Sequence, residues 1–180
     1  MKMGEADDAS MFERIRTDPQ AWRAQAIQLR LSADVIYVEW EKISRPVRTL
    51  PSPMEKMLAY SQSFMLLTAF SFENLLKGVL CGRDPDRDLS SKTAGHAIKK
   101  MAIEVLTPAL YEPPIPLELD LLERLEVYLV WAGRYQLPRR EDVFANSTVQ
   151  IRSNDPILIE SLFAKIDNAL QEEWQKRGNF

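Results

Sequence analysis

Between Trp22 and Ile43, apolar residues recur at spacings of four and three: Trp22, Ala26, Leu29, Ala33, Ile36, Trp40 and Ile43. Such spacing puts all of them on one stripe of an α-helix and does not fit the two-residue period of a half-buried strand. Arg23, Arg30, Glu39 and Glu41 fall off the stripe. Just upstream, Asp18 supplies an N-cap and Pro19 suits the first helical position, so the pattern predicts a helix over 19–45. A seam of this kind packs against another helix of the same chain or meets a second subunit.

Proline punctuates the rest of the chain in clusters: Pro51 and Pro53; Pro108, Pro113, Pro114 and Pro116; Pro138; Pro156. Ser52 and Glu55 have capping-box spacing around Pro53, opening a second helix that runs to Leu80. Phe64, Met65, Leu67, Leu75, Leu76 and Val79 leave little polar surface in its middle, as expected of a central helix packed on several sides. Residues 94–106 predict a short third helix, with Ile98, Met101, Ala102 and Val105 on one side. A fourth over 117–136 has Leu117, Leu121, Leu125, Tyr128 and Ala132 on one face. After an irregular stretch at 137–154, Asp155 and Pro156 repeat the cap-and-proline start and open a fifth helix ending at Arg177. No strand-like alternation and no internal repeat is evident. The fold class is all-α, an antiparallel bundle of about five helices. Residues 1–16 are expected to be a flexible N-terminal tail, 17–177 one helical domain and 178–180 a C-terminal tail.

Composition narrows the function classes. With 46% hydrophobic residues in 180, the chain is long enough to bury a core. A net charge of −3 argues against a broad nucleic-acid surface, leaving only a local patch. Cys81 is the only cysteine, so no internal disulfide forms, and a reducing cytoplasmic setting is the natural expectation. The uncharged run from Met57 to Phe72 is shorter than the roughly 18–20 residues of a membrane span and is read as a buried helix, with no membrane partner. His96 is the only histidine. With no GxSxG, no HExxH, no cysteine pair and no Gly-rich phosphate loop, the chain offers neither a standard catalytic motif nor a metal or cofactor site.

Three features remain. Glu73 and Lys77 stand four apart on the apolar second helix, either an ordinary surface pair or, if buried, a polar island needing partners. Gly95-His96 opens the third helix, where the imidazole either ties the loop to a neighbouring helix or moves protons. Trp131, Gly133, Arg134 and Tyr135 end the fourth helix and are followed by Arg139 and Arg140. These cations either cap the helix C-terminus or, with the two aromatic rings, grip phosphate and stack on a base. Arg83, Arg87, Lys92, Lys99 and Lys100 would extend that patch if the fold brings the loops together, diluted by Asp84, Asp86 and Asp88.

Taken together, Glu-Asn-Leu-Leu-Lys-Gly at 73–78, Gly-His at 95–96 and Gly-Arg-Tyr-x-x-Pro at 133–138 resemble the HEPN superfamily. The resemblance spans about residues 53–140. It implies an antiparallel bundle of four to five helices that commonly forms homodimers, with links to toxin–antitoxin systems, phage defence and RNA metabolism. Active HEPN ribonucleases carry an arginine, four to six further residues, and then histidine. Before His96 the required places hold Leu89, Ser90 and Ser91, and Arg87 lies too far upstream, so the motif does not transfer. The resulting expectation is a homodimeric binding or regulatory module without the standard nuclease motif. A ribonuclease with a rearranged site pairing His96 with Arg134, acting on RNA, is the alternative. A third reading is an adaptor that binds another protein through the Trp22/Trp40 seam or the 137–154 loop.

Overall fold

The computed structural model describes residues 11, 13–44, 54–89, 96–107, 111–132 and 151–178. Among these there is no strand, and five helices carry the fold: α1 (Pro19–Ser44), α2 (Met54–Arg83), α3 (Ile98–Leu106), α4 (Pro116–Val127) and α5 (Asp155–Lys176). A π-helical turn, Tyr128–Ala132, continues α4. The tail regions 1–10 and 179–180, the 45–53 connector with Ser52, and most of the 137–154 stretch lie outside the described residues. Residues 13–16 form a helical turn, and the Arg16 carbonyl accepts a hydrogen bond from Trp22 Nε1 at 2.9 Å.

The first helix starts where its cap predicts, with the Gln20 amide donating to Asp18 Oδ1 at 2.9 Å. Its seam is used within the chain. Ala26 and Ala33 are completely buried, and the small alanine side chains let α2 come close enough for Ser71 Oγ to donate to the Ala26 carbonyl at 2.8 Å. Trp22, Ile36 and Tyr37 pack on the core, Tyr37 meets Phe64 with ring centroids 5.0 Å apart, and Trp40 stacks on Tyr37.

Helix α2 is the central element. It touches α1, α3, α4 and α5, and its side chains from Phe64 through Leu80 supply much of the core. By length and composition Lys56–Arg83 is apolar enough to cross a membrane, but 78% of its most apolar window is buried inside the bundle. The helix runs three residues past the expected end at Leu80 because Gly82 does not terminate it. A Cβ on Gly82 would lie 3.1 Å from Glu173 Cβ, and one on Gly78 would lie 2.6 Å from Leu170 Cδ1 and 3.1 Å from Trp22 Cβ. These glycines permit close approach of α1 and α5 rather than a turn. Arg177, just past α5, closes the end of α2 by donating to the Cys81 and Gly82 carbonyls, a cation serving unsatisfied C-terminal acceptors.

Candidate functional site

Glu73 and Lys77 lie one turn apart on the face of α2, and their pairing follows from helical spacing alone. Lys77 Nζ is 2.6 Å from Glu73 Oε1, and the two side chains are only 9% and 7% exposed. They form the buried polar island rather than the surface pair. The island has the partners it needs. His96 places Nδ1 3.1 Å from Glu73 Oε2, and the Lys77 ammonium stands 5.9 Å from the centre of the Trp22 ring, a cation–π contact.

Two tethers hold His96 in place. It lies in the turn before α3, whose first-turn amide at Lys99 donates to Glu126 Oε1 at 2.7 Å. Burial raises the pKa of Glu126, while the hydrogen bond from the Lys99 amide and the Lys99 charge pull it down less strongly. At the other end of α3, Arg83 reaches across from α2 and donates to the Glu104 and Val105 carbonyls at 3.3 and 2.9 Å. Its Nε also meets Glu173 of α5 at 3.2 Å. With α3 pinned to α4 at its start and to α2 and α5 at its end, the turn ahead of it presents His96 to Glu73.

The arrangement has a defined chemical capacity. A carboxylate facing Nδ1 assigns the ring proton to that nitrogen in neutral imidazole and leaves Nε2 as the acceptor. The ring is 29% exposed, four times as open as the Glu73 side chain beneath it. The cluster thus meets solvent through His96, with Glu73 as its orienting group and Lys77 as the carboxylate's resident counter-ion. No group of three or more His, Cys, Asp and Glu suited to a metal occurs among the described residues.

The remaining candidates separate. Arg134, Tyr135, Arg139 and Arg140 lie outside the described residues, as does the side chain of Trp131. The backbone of Trp131 belongs to the π-turn, so the His96–Arg134 pair has no described geometry. Of the cations expected to extend a basic patch, Arg83 is committed to Glu173, Arg87 to Glu104 at 2.5 Å and Lys99 to Glu123 at 2.7 Å. Lys92 lies outside the described residues. Carboxylates thus neutralise Arg83, Arg87 and Lys99, and exposed Lys100 is the remaining described member of the patch.

Two residues escaped the sequence reading. Trp22 was assigned only to the seam, although its ring also floors the Lys77 ammonium. Arg124 was not singled out, yet it forms the most deeply buried ion pair, with Nη1 and Nη2 2.7 and 2.5 Å from the two oxygens of Asp155. Burial disfavours its charge, but the hydrogen bonds and charge of Asp155 outweigh this and hold the guanidinium pKa above its ordinary value. The four-residue spacing of Asp120 and Arg124, 3.0 Å apart, was the available signal. Tyr128, at the start of the π-turn beside this pair, has its hydroxyl pKa pushed up to about 12, chiefly by burial. No protein-family model matches the chain, and no curated protein or solved structure matches it.

Proposed function

We propose that this chain is a HEPN-like helical binding or regulatory module. In this reading it acts as a homodimer in a cytoplasmic defence, stress or toxin–antitoxin setting, with Glu73, Lys77 and His96 as its functional centre. The observation that carries the reading is the shared carboxylate: Glu73 is held between Lys77 and His96 within one nearly buried cluster. The HEPN-like sequence pattern contributes these same three residues. Leu89, at one of the places where the nuclease motif would put arginine, is buried in the core. Arg87 is already occupied by Glu104. A cluster neutralised by its own lysine and lacking that arginine suits recognition better than turnover, and RNA or a nucleotide is the ligand class in this reading.

The test is fluorescence anisotropy of labelled single-stranded RNA titrated with the full chain, with the RNA recovered and sized afterwards. Binding without cleavage is expected, and His96→Ala should weaken it about tenfold or more, the scale of a hydrogen bond involving a charged group. Absence of binding by the wild-type chain removes RNA from the reading.

One observation favours a second reading. Glu73 orients His96 so that Nε2 is available for proton transfer, the arrangement a general base requires. In that reading the chain cleaves RNA, with Arg134 holding the phosphate. Cleavage abolished by His96→Ala would replace the first reading with the second, whereas cleavage unchanged in that variant eliminates the second.

A further inference from the structure

A cleft of about 350 Å³ opens beside the first turns of α1, lined by Ile15, Arg16, Ala21, Trp22, Gln25 and Asn74. Its volume is at the low end for small-molecule sites. Carbon makes most of its wall: the Ile15 and Ala21 side chains, the Trp22 ring and the stem of Arg16. This wall is held in place by the chain itself. Trp22 Nε1 donates to the Arg16 carbonyl at 2.9 Å. The turn that carries Ile15 and Arg16 is closed by the Thr17 and Asp18 amides, which donate to the Glu13 and Ile15 carbonyls at 3.0 and 3.3 Å. Asn74, half-buried on α2, donates Nδ2 to the Phe70 carbonyl at 2.7 Å. A carbonyl only accepts, so this bond fixes which way the amide points and leaves Oδ1 as an acceptor. That oxygen meets no donor among the described residues. Arg16, the only charged residue of the described lining, is matched by Glu13 at 2.7 Å.

We propose that this cleft is a small-molecule site for a neutral, fused-ring aromatic heterocycle with an N–H donor, its ring packed on Trp22 and its N–H given to Asn74 Oδ1. Each property of the ligand answers a feature of the site. A flat ring gains offset or edge-to-face contact with the indole beyond the apolar area it buries. An N–H satisfies the acceptor that α2 leaves open, whereas a ligand without one strands that oxygen away from water. A charged ligand would give up its hydration for a wall whose single cation is already paired, so an uncharged one is selected. Gln25, exposed at the rim, has an amide that can donate or accept toward ring substituents. The inference does not rest on the RNA reading above. The cleft is separate from His96, although Trp22 serves both: its ring also meets the Lys77 ammonium.

Titration of the isotope-labelled full chain with indole and with N-methylindole, followed by nuclear magnetic resonance, tests the proposal. Indole should bind saturably, with shifts concentrated at Ile15, Ala21, Asn74 and the Trp22 ring N–H. Methylation keeps the fused rings and removes the donor, and should weaken binding about tenfold. In Asn74→Ala, which deletes only a bond to its own helix, the two probes should bind alike, with helix content unchanged by circular dichroism. Ala21→Leu should fill the cleft and abolish binding of both. His96→Ala should bind indole as the parent chain does, which keeps this result distinct from the RNA test. Adenine should also bind, and adenosine monophosphate no more tightly than adenine. Absence of saturable binding by both indole and adenine overturns the site. Equal affinity of the parent chain for indole and N-methylindole overturns the role of Asn74, and a monophosphate bound tenfold more tightly than adenine overturns the neutral ligand.

Discussion

Two of the buried ion clusters among the described residues are built to different ends. At the junction of α4 and α5, Arg124 meets Asp155 through two parallel hydrogen bonds. Asp155 Oδ2 also accepts the Arg152 amide at 2.8 Å, and Asp120 takes the Arg124 Nε at 3.0 Å. The Asp155 side chain is fully buried and that of Arg124 is 4% exposed. At the junction of α2 and the turn before α3, Glu73 is equally saturated, but one of its partners is the partly open His96. The first cluster clamps two helices around a closed Arg124–Asp155 core and reaches solvent through Asp120, 41% exposed. The second is closed beneath and open above, as a binding centre must be. Burial, ion pairing and an open edge do not by themselves mark a functional site; the second cluster differs in that the group at its edge is a histidine, whose ring nitrogens can both donate and accept.

The largest test of this contrast is Asp155→Ala. It leaves a buried guanidinium without its main partner, and thermal and denaturant unfolding should show a loss of about 3–5 kcal/mol. Glu73→Ala should cost less, about 2–3 kcal/mol, because Lys77 retains the Trp22 ring and lies near an opening. Replacing both charges, Glu73→Leu with Lys77→Met, should restore stability to within about 1 kcal/mol of the parent chain, since exchanging a whole buried pair for apolar groups is close to neutral. If Asp155→Ala costs no more than Glu73→Ala, the distinction between a structural clamp and a candidate site is lost.

Acid gives a smaller and more local effect. The hydrogen bond from Arg87, with its charge, holds the Glu104 carboxyl below its ordinary value of 4.5. For Glu173 burial acts upward, but hydrogen bonds from Lys176 and Arg83 outweigh it and leave the group lowered as well. A carboxyl depressed in the folded chain contributes stability above its unfolded pKa and loses it as pH falls through the folded one. Below about pH 4.5 the end of α3 should loosen from α2 and α5. Glu126 opposes the trend: its raised pKa makes the folded chain the better proton acceptor, so it favours folding in acid. Hydrogen exchange followed through this range should show the amides near Glu104 losing protection before those at the start of α3. Uniform loss along α3 would show that its two tethers are not independent.

Helix positions were legible in the sequence because each rests on local signals. Asp18-Pro19 marked the start of α1 with its cap, and Asp155-Pro156 marked the start of α5 although Asp155 is its first residue rather than its cap; apolar periodicity gave most of the buried faces, with Leu117, 50% exposed, an exception. Helix α2 runs three residues beyond Leu80 because Gly82 serves approach to α5, a tertiary use that carries no local signal. The site divides the same way. Glu73 and Lys77 announce their pairing by spacing, whereas His96 joins them only through where α3 sits. That position is set by Glu126 and Arg83, which carry no local signature of the task. Asp155 read as a helix start because its partner Arg124 lies 31 residues away.

Gly78 bears on how the chain folds as well as on how it packs. The α1–α2 hairpin closes over a short connection, a local event that is kinetically easy. Helix α5 must return from far along the chain to seat Leu170 against Gly78, where Trp22 and the Pro19 carbonyl already lie within 3.3 Å of an added Cβ. That seat is assembled from both hairpin arms, so it exists only once the hairpin has formed. The final helix is thus expected to dock onto a surface that the first two create, at the place where three elements converge on a residue with no side chain.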